Sequence, residues 1–123
     1  MAKRVLIVDD EVNIVAALDY LLRRSGYEVS VAATGDEALR QVEAFAPDLV
    51  LLDVMMPQKS GYEVCRRIRE RPELRGVKIV MLSAKGRDAE VSKGLSLGAD
   101  LYVTKPFSNA ELVVRIRELL GDA

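Results

Sequence analysis

The stretch Val5-Leu6-Ile7-Val8-Asp9-Asp10 places a short apolar run directly before two carboxylates. Near-continuous apolar runs rich in β-branched residues recur at Leu49 to Leu52 and at Val77 to Leu82. Such runs are typical of strands buried on both faces, as in a parallel sheet. Two weaker segments, around Val29 to Val31 and from Leu101 to Val103, indicate two further strands. The sequence therefore predicts five strands.

The segments between these runs have the pattern of amphipathic helices. From Glu11 to Arg24 the apolar residues fall on one face, and Gly26 stands where a helix C-terminus favours glycine. A fourth helix, from about Gly86 to Leu97, has few apolar residues and an internal Gly94, which costs a helix about 1 kcal/mol relative to alanine. We expect it to be the least stable helix and a moving element. Three other helices begin with a capping-box spacing: Thr34 with Glu37, Ser60 with Glu63, and Ser108 with Glu111.

Five strand–helix units in this order predict an α/β domain with a doubly wound parallel sheet, helices on both faces and right-handed crossovers. The 123 residues, half of them hydrophobic, suit a single domain spanning 1–123. In such sheets ligands bind beyond the carboxyl ends of the strands. Functional residues are therefore expected at that edge.

Composition narrows the functional classes. With 18 basic and 19 acidic residues and a net charge of -1, nothing draws the whole chain to nucleic acid or to a membrane. The single cysteine, Cys65, cannot form an internal disulfide and is expected in the core. The apolar run that begins at Val5 is too short for a signal peptide or a membrane span. We therefore expect a cytoplasmic protein. The absence of histidine excludes histidine-based triads and metal sites but leaves carboxylate sites open. An arginine cluster is expected to be a solvated face offset by glutamates: Arg66, Arg67, Arg69, Arg71 and Arg75.

Polar side chains gather at the predicted strand ends: Asp9 and Asp10, Asp53, Ser83, and Lys105. Each alone has an ordinary explanation, since Asp10 could cap a helix, Asp53 could shape a turn, Ser83 could be a loop hydroxyl and Lys105 could be solvated. Together, three carboxylates near one point need a cation or raised pKa values. Magnesium binds carboxylates and phosphate oxygens, and Lys105 adds a counter-charge. The set therefore predicts a magnesium site.

These residues lie in motifs that resemble those of response-regulator receiver domains. The resemblance runs from Lys3 to about Leu120 and implies a flavodoxin-like fold with strand order 2-1-3-4-5. Its motifs occur in order at family spacings: Val8-Asp9-Asp10-Glu11, Asp53-Val54-Met55-Met56-Pro57 with Gly61, Leu82-Ser83-Ala84, Gly98-Ala99-Asp100 and Thr104-Lys105-Pro106-Phe107.

The resemblance also implies a role for each matching residue. Asp53 would be the nucleophile that becomes an aspartyl phosphate, with Lys105, Ser83 and Ala84 completing the catalytic set. Ser83 and Tyr102 would form the switch, Tyr102 turning inward as Ser83 moves toward the phosphate. The Lys105–Pro106 bond would be cis. The ligands of Mg²⁺ (or Mn²⁺) would be Asp10, Asp53, Asp9 through water, and the backbone carbonyl of Met55.

The implied partners are a sensor histidine kinase or phosphotransfer protein as donor, and a downstream protein or tethered output domain. The signal would pass through the face formed by the fourth helix, fifth strand and fifth helix, which could also support a homodimer. Receivers that precede DNA-binding domains commonly carry a second acidic residue after the position of Asp100, and it contributes to their salt-bridged dimer. This chain has Leu101 there, which argues against a dimer of that kind. The domain would be stand-alone or part of a longer regulator, and it would not be a turnover enzyme, because it catalyses only its own phosphorylation and dephosphorylation.

Three alternatives remain to be compared. A haloacid-dehalogenase-type phosphatase also uses an aspartyl phosphate, but it needs a second aspartate two positions after the nucleophile, where this chain has Met55. A dinucleotide-binding domain needs a glycine-rich loop after the first strand, which is missing here. A receiver-like module that only binds partners would not need the acidic set with Lys105.

Overall fold

A computed structural model describes residues 2–56, 59–84 and 86–122. Strands and helices alternate along the chain, as the sequence predicts. The strands are β1 (Arg4–Val8), β2 (Glu28–Ala32), β3 (Leu49–Asp53), β4 (Lys78–Ser83) and β5 (Leu101–Thr104). The helices are α1 (Val12–Arg24), α2 (Gly35–Phe45), α3 (Gly61–Arg69), α4 (Asp88–Ser96) and α5 (Asn109–Leu120), with one turn of 3-10 helix at Pro72–Leu74.

The five strands form one parallel sheet in the order β2-β1-β3-β4-β5. This confirms the predicted flavodoxin-like topology. Because all strands run the same way, their carboxyl ends share one edge. The strand order changes direction at β1, so the ends of β1 and β3 flank the crevice where such sheets bind ligands.

Alternate residues of the central strands face opposite layers of helices. Leu6 and Leu52 belong to a buried cluster with residues of α2 and α3. Ile7 and Leu51 belong to a second cluster with residues of α1 and α5. Both clusters include fully buried strand residues, which explains why the strands read as continuous apolar runs.

The helix starts follow the predicted caps. The hydroxyls of Thr34, Ser60 and Ser108 each accept a hydrogen bond from the backbone N–H three residues on. Gly26 follows α1 with φ of 96°, as expected of a helix-ending glycine. Helix α1 begins at Val12, not at residue 11. Among the described residues, no helix is both long and apolar enough to cross a membrane.

Candidate functional site

The sheet register brings the predicted carboxylates together. Val8 pairs with Leu52, so the next residues, Asp9 and Asp53, leave neighbouring strands side by side. One carboxylate oxygen from each of Asp9, Asp10 and Asp53 lies within 4.8 Å of the others. Asp9 and Asp53 are buried, whereas Asp10 is exposed at the mouth of the cluster. Helix α1 has no side-chain cap, so the alternative that Asp10 caps it is wrong.

Asp53 is a buried carboxyl in an unfavourable setting for charge. Burial, followed by the negative charge of Asp9, raises its pKa from 3.8 to about 6. The Lys105 ammonium and a hydrogen bond from the Met55 backbone N–H, 3.3 Å from Asp53 Oδ1, act in the opposite direction but do not cancel these effects. Ionising Asp53 therefore costs more free energy in the folded protein than it does in water.

Lys105 supplies the positive charge of the site. Its Nζ lies 3.0 Å from Glu11 Oε1, 3.4 Å from Asp9 Oδ2 and 3.6 Å from Asp53 Oδ1. Burial lowers the pKa of Lys105, but the hydrogen bond to Glu11 and the charges of Asp53 and Asp9 outweigh it, so the pKa is raised overall. The Lys105 side chain is only 13% exposed, so water screens its attraction to the carboxylates only weakly.

Glu11 is the site residue that sequence reasoning missed. The sequence placed it at the start of a helix, whereas in the structure it is the N-cap of α1 and the nearest of the three carboxylates on Lys105. Its position directly after Asp9 and Asp10 was the available signal. Asp9 fixes this turn, since its Oδ1 accepts a hydrogen bond from the Glu11 N–H at 2.9 Å.

The first residue of α3 packs directly against the backbone that carries Asp53. The Gly61 N–H donates to the Val54 carbonyl at 2.9 Å. A Cβ at Gly61 would lie 2.4 Å from the Asp53 carbonyl oxygen and 2.8 Å from Val54 Cα, so only glycine fits without a backbone shift. The loop before Gly61 is also tied to α2 through Lys59 and Asp36, 2.6 Å apart. Pro57 of the resembling motif lies outside the described residues.

The remaining predicted residues line the same edge. Asp53 pairs with Leu82, so Ser83 lies one step further along β4; it is buried, while Ala84 is exposed. Ser83 pairs with Thr104, which brings Lys105 to the site. The Lys105–Pro106 bond is cis, as the resemblance implies. Tyr102 is half-buried on β5.

The donor set fits a hard divalent cation. Three carboxylates converge, and burial with mutual repulsion raises the pKa of Asp53 despite Lys105. A small cation that prefers oxygen ligands, as Mg²⁺ and Mn²⁺ do, would relieve the repulsion between these carboxylates. Met55 lies at the rim, with its N–H on Asp53 and its side chain 55% exposed.

Comparison with known proteins agrees with the fold and shows the family. The family model of the response regulator receiver domain matches residues 5–117. The chain is 47% identical over 120 residues to the alkaline phosphatase synthesis transcriptional regulatory protein PhoP of Bacillus subtilis (strain 168), covering 98% of this chain and 49% of PhoP. It is 43% identical over 123 residues to the phosphate regulon transcriptional regulatory protein PhoB of Rhizobium meliloti (strain 1021), covering 100% of this chain and 54% of PhoB.

Among solved structures, a CheY-like response regulator receiver domain protein from Methanospirillum hungatei JF-1 superimposes with a TM-score of 0.90 at 33% identity, covering 99% of this chain and 96% of that one. The chain belongs to the response-regulator receiver domain family. It is a signalling domain of two-component systems, in which phosphorylation carries the signal. It spans about half the length of the curated relatives that it matches.

Proposed function

We propose that this chain is a phosphorylation switch in which Asp53 accepts a phosphoryl group. The observation that carries the proposal is the buried Asp53 carboxylate, raised in pKa and set between Asp9 and the Lys105 ammonium. A carboxylate with a raised pKa is a better nucleophile than a solvated one. The side chain becomes more negative when it is phosphorylated, and the buried Lys105 ammonium would stabilise that added negative charge.

The chemistry needs little more than position and charge. An Asp53 oxygen attacks the phosphorus of the donor, and a new O–P bond forms as the bond to the leaving group breaks. The leaving group departs with that electron pair and takes up a proton. Lys105 Nζ, 3.6 Å from Asp53 Oδ1, is placed to pair with an oxygen of the transferred group. When bound, Mg²⁺ supplies charge neutralisation for the phosphoryl oxygens. It would be held by Asp10, Asp53 and the Met55 carbonyl, and by Asp9 through water.

Ser83 and Ala84 would complete the phosphoryl site, and Tyr102 would report its state. Ser83 is buried directly beyond Leu82, the register partner of Asp53, so a shift of the chain at Ser83 would aim its hydroxyl at a phosphoryl oxygen. Tyr102 lies two residues before Thr104, the partner of Ser83. A movement at Ser83 can therefore reach α4, β5 and α5, the face that would change.

Membership of the receiver family supports a histidine kinase or a phosphotransfer protein as the donor. The given sequence has no histidine, so none of its own residues could be a phosphohistidine donor. The altered face would act on a downstream protein or an output domain, or on a second copy of the chain. PhoP and PhoB are named as transcriptional regulators, which supports an output domain beyond the receiver. The whole of 1–123 would act as one receiver in the cytoplasm, and it would catalyse only its own phosphorylation and dephosphorylation.

Intact mass after incubation with acetyl phosphate tests the proposal. Wild type should gain one phosphoryl mass only when Mg²⁺ is present. Asp53→Ala should gain none, and Lys105→Ala should gain it at least about tenfold more slowly, because the counter-charge is lost. Asp19→Ala, which removes a partly exposed carboxylate of α1, is the matched control and should behave as wild type. A folded wild type that gains no mass would favour a module that only binds partners.

A further inference from the structure

One row of side chains on α3 holds the backbone of α4 and of the turn after it. Tyr62, Cys65 and Arg69 are spaced three and four residues apart and so lie on one face of α3. The Tyr62 hydroxyl donates to the Glu90 carbonyl at 3.3 Å, Cys65 Sγ to the Leu97 carbonyl at 3.6 Å, and Arg69 Nε to the Gly98 carbonyl at 2.9 Å.

The contact at the far end of this row is a firm anchor. Arg69 also pairs with Asp100 at 3.0 Å, and Asp100 Oδ2 accepts the Ile79 N–H at 2.8 Å. The Arg69 side chain is 20% exposed, so the sequence interpretation of it as part of a solvated face is wrong. These charged links, part-buried at Gly98 and Ile79, fix the turn after α4 to α3 and β4.

The contact at the near end is weaker and meets the switch aromatic. The Tyr102 hydroxyl is a hydrogen-bonding neighbour of the Tyr62 phenol. Burial, then this neighbour, raises the pKa of Tyr62 to about 12, so the phenol keeps its proton and remains a donor. The Lys93 ammonium lies 4.5 Å from the centre of the Tyr62 ring and secures the ring to α4.

Gly94 gives the Tyr102 ring its place beneath α4. A Cβ at Gly94 would lie 2.8 Å from Tyr102 Cδ2 and 2.8 Å from Met81 Sδ. The glycine that weakens α4 thus allows the helix backbone to lie directly on the aromatic ring. A rotation of that ring would therefore change the packing of the helix at Gly94.

We propose that Tyr62 is a positioning residue of the switch: its hydroxyl joins Tyr102 to the backbone of α4, so that rotation of Tyr102 and displacement of the first half of α4 occur together. The anchor at Arg69 then serves as the fixed end about which α4 moves. This inference rests on the proposed role of Tyr102. It deepens that role by naming the residue that passes the motion of one side chain to a helix.

The test uses the full chain labelled with 3-fluorotyrosine, whose four tyrosines give four ¹⁹F resonances that single Tyr→Phe variants assign. Tyr62→Phe removes the hydroxyl and keeps the ring. The matched control is Tyr20→Phe, since the Tyr20 hydroxyl is exposed and accepts a hydrogen bond from Arg24 within α1. Amide exchange of α4 and α1 is measured on the same samples.

Without phosphorylation, Tyr62→Phe should move the Tyr102 resonance and speed amide exchange in the first half of α4 by about fivefold, with α1 unchanged. Tyr20→Phe should do neither. After phosphorylation, verified by mass, the Tyr102 resonance and the α4 amides should respond together in wild type. In Tyr62→Phe, Tyr102 should still respond while the response of α4 is lost.

A Tyr62→Phe protein with the Tyr102 resonance and α4 exchange of wild type would overturn the proposal. The reciprocal variant, Tyr102→Phe, must move the Tyr62 resonance, and this decides the matter if the first variant fails to fold. A wild type without a phosphoryl mass gain would refute the proposed function alone, because the comparison of unphosphorylated samples still shows whether Tyr62 joins Tyr102 to α4.

Discussion

Replacing Asp53 with asparagine should stabilise the metal-free protein. The substitution keeps the size of the side chain and its ability to accept the Met55 N–H, but it removes a buried negative charge beside Asp9. Burial raises the pKa of Asp53 from 3.8 to about 6, and the charge of Asp9 adds to this effect. The folded state therefore holds the Asp53 carboxylate less well than the unfolded state does.

The size of the effect follows from linkage. A pKa difference of about two between the folded and unfolded states corresponds to about 3 kcal/mol of stability. Because the folded protein binds the Asp53 proton more tightly, the penalty is absent at low pH, grows as the pH rises from 3.8 to about 6, and is complete above that. Asp53→Asn should thus be more stable than wild type by about 3 kcal/mol at pH 7.5 and by only about 0.5 kcal/mol at pH 4.

Urea unfolding at the two pH values, in EDTA, measures both numbers. Asp19→Asn serves as the control, since it removes a partly exposed carboxylate paired with Arg23 and should change the free energy of unfolding by no more than about 0.5 kcal/mol. Equal stability of Asp53→Asn and wild type at pH 7.5, or a difference that is the same at pH 4, would refute the electrostatic reasoning.

Magnesium should remove most of the stability difference between wild type and Asp53→Asn. At 100 times its dissociation constant, a bound ion adds about 2.7 kcal/mol to the free energy of unfolding. Wild type should gain this, whereas Asp53→Asn loses one of the three converging carboxylates and should gain much less. The stability advantage of the variant should then nearly disappear, and a Mg²⁺ titration of each protein followed by thermal unfolding would measure the change.

Two further changes test the surroundings of the site and the core. Gly61→Ala should cost about 1–3 kcal/mol in urea unfolding, because its Cβ would lie 2.4 Å from the Asp53 carbonyl oxygen; Gly76→Ala, with no atom within 4 Å, should cost little, and equal losses would contradict the steric explanation. Burial raises the pKa of the Cys65 thiol to about 11, so a disulfide reagent at pH 8 should modify it at least about a hundredfold more slowly in the native protein than in urea. Rapid native labelling would show that the core opens there.

The fold and the composition of the site could be predicted because each rests on a local pattern. Apolar runs such as the one at Leu49 define strands, and hydroxyl–glutamate spacings mark helix starts. Parallel strands then bring their carboxyl ends to one edge, which places Asp9 beside Asp53 without any knowledge of the loops. The sequence positions of the polar residues therefore sufficed to predict the cluster.

The features that the sequence did not predict depend on long side chains reaching across the fold. Glu11 contacts Lys105 over 94 positions, and Arg69 contacts Asp100 over 31. An arginine in a cluster of arginines is predicted to be solvated, because no periodicity marks which one turns inward. Gly94 could be seen as a cost to its helix, but the ring that it accommodates lies on a different element.

The costs in this structure are concentrated where the protein would act. The acidic cluster raises the pKa of Asp53, and Gly94 weakens α4, while the strands between them are continuous apolar core. A chain selected for stability alone would have no reason to bury a carboxylate beside Asp9 or to place a glycine inside a helix. Both are features that a change of charge can use: a cation or phosphoryl group relieves or redistributes the charge at Asp53, and a weak helix on an aromatic ring responds to a small displacement. In the proposed function, the stability given up at these two places is what would allow the domain to switch.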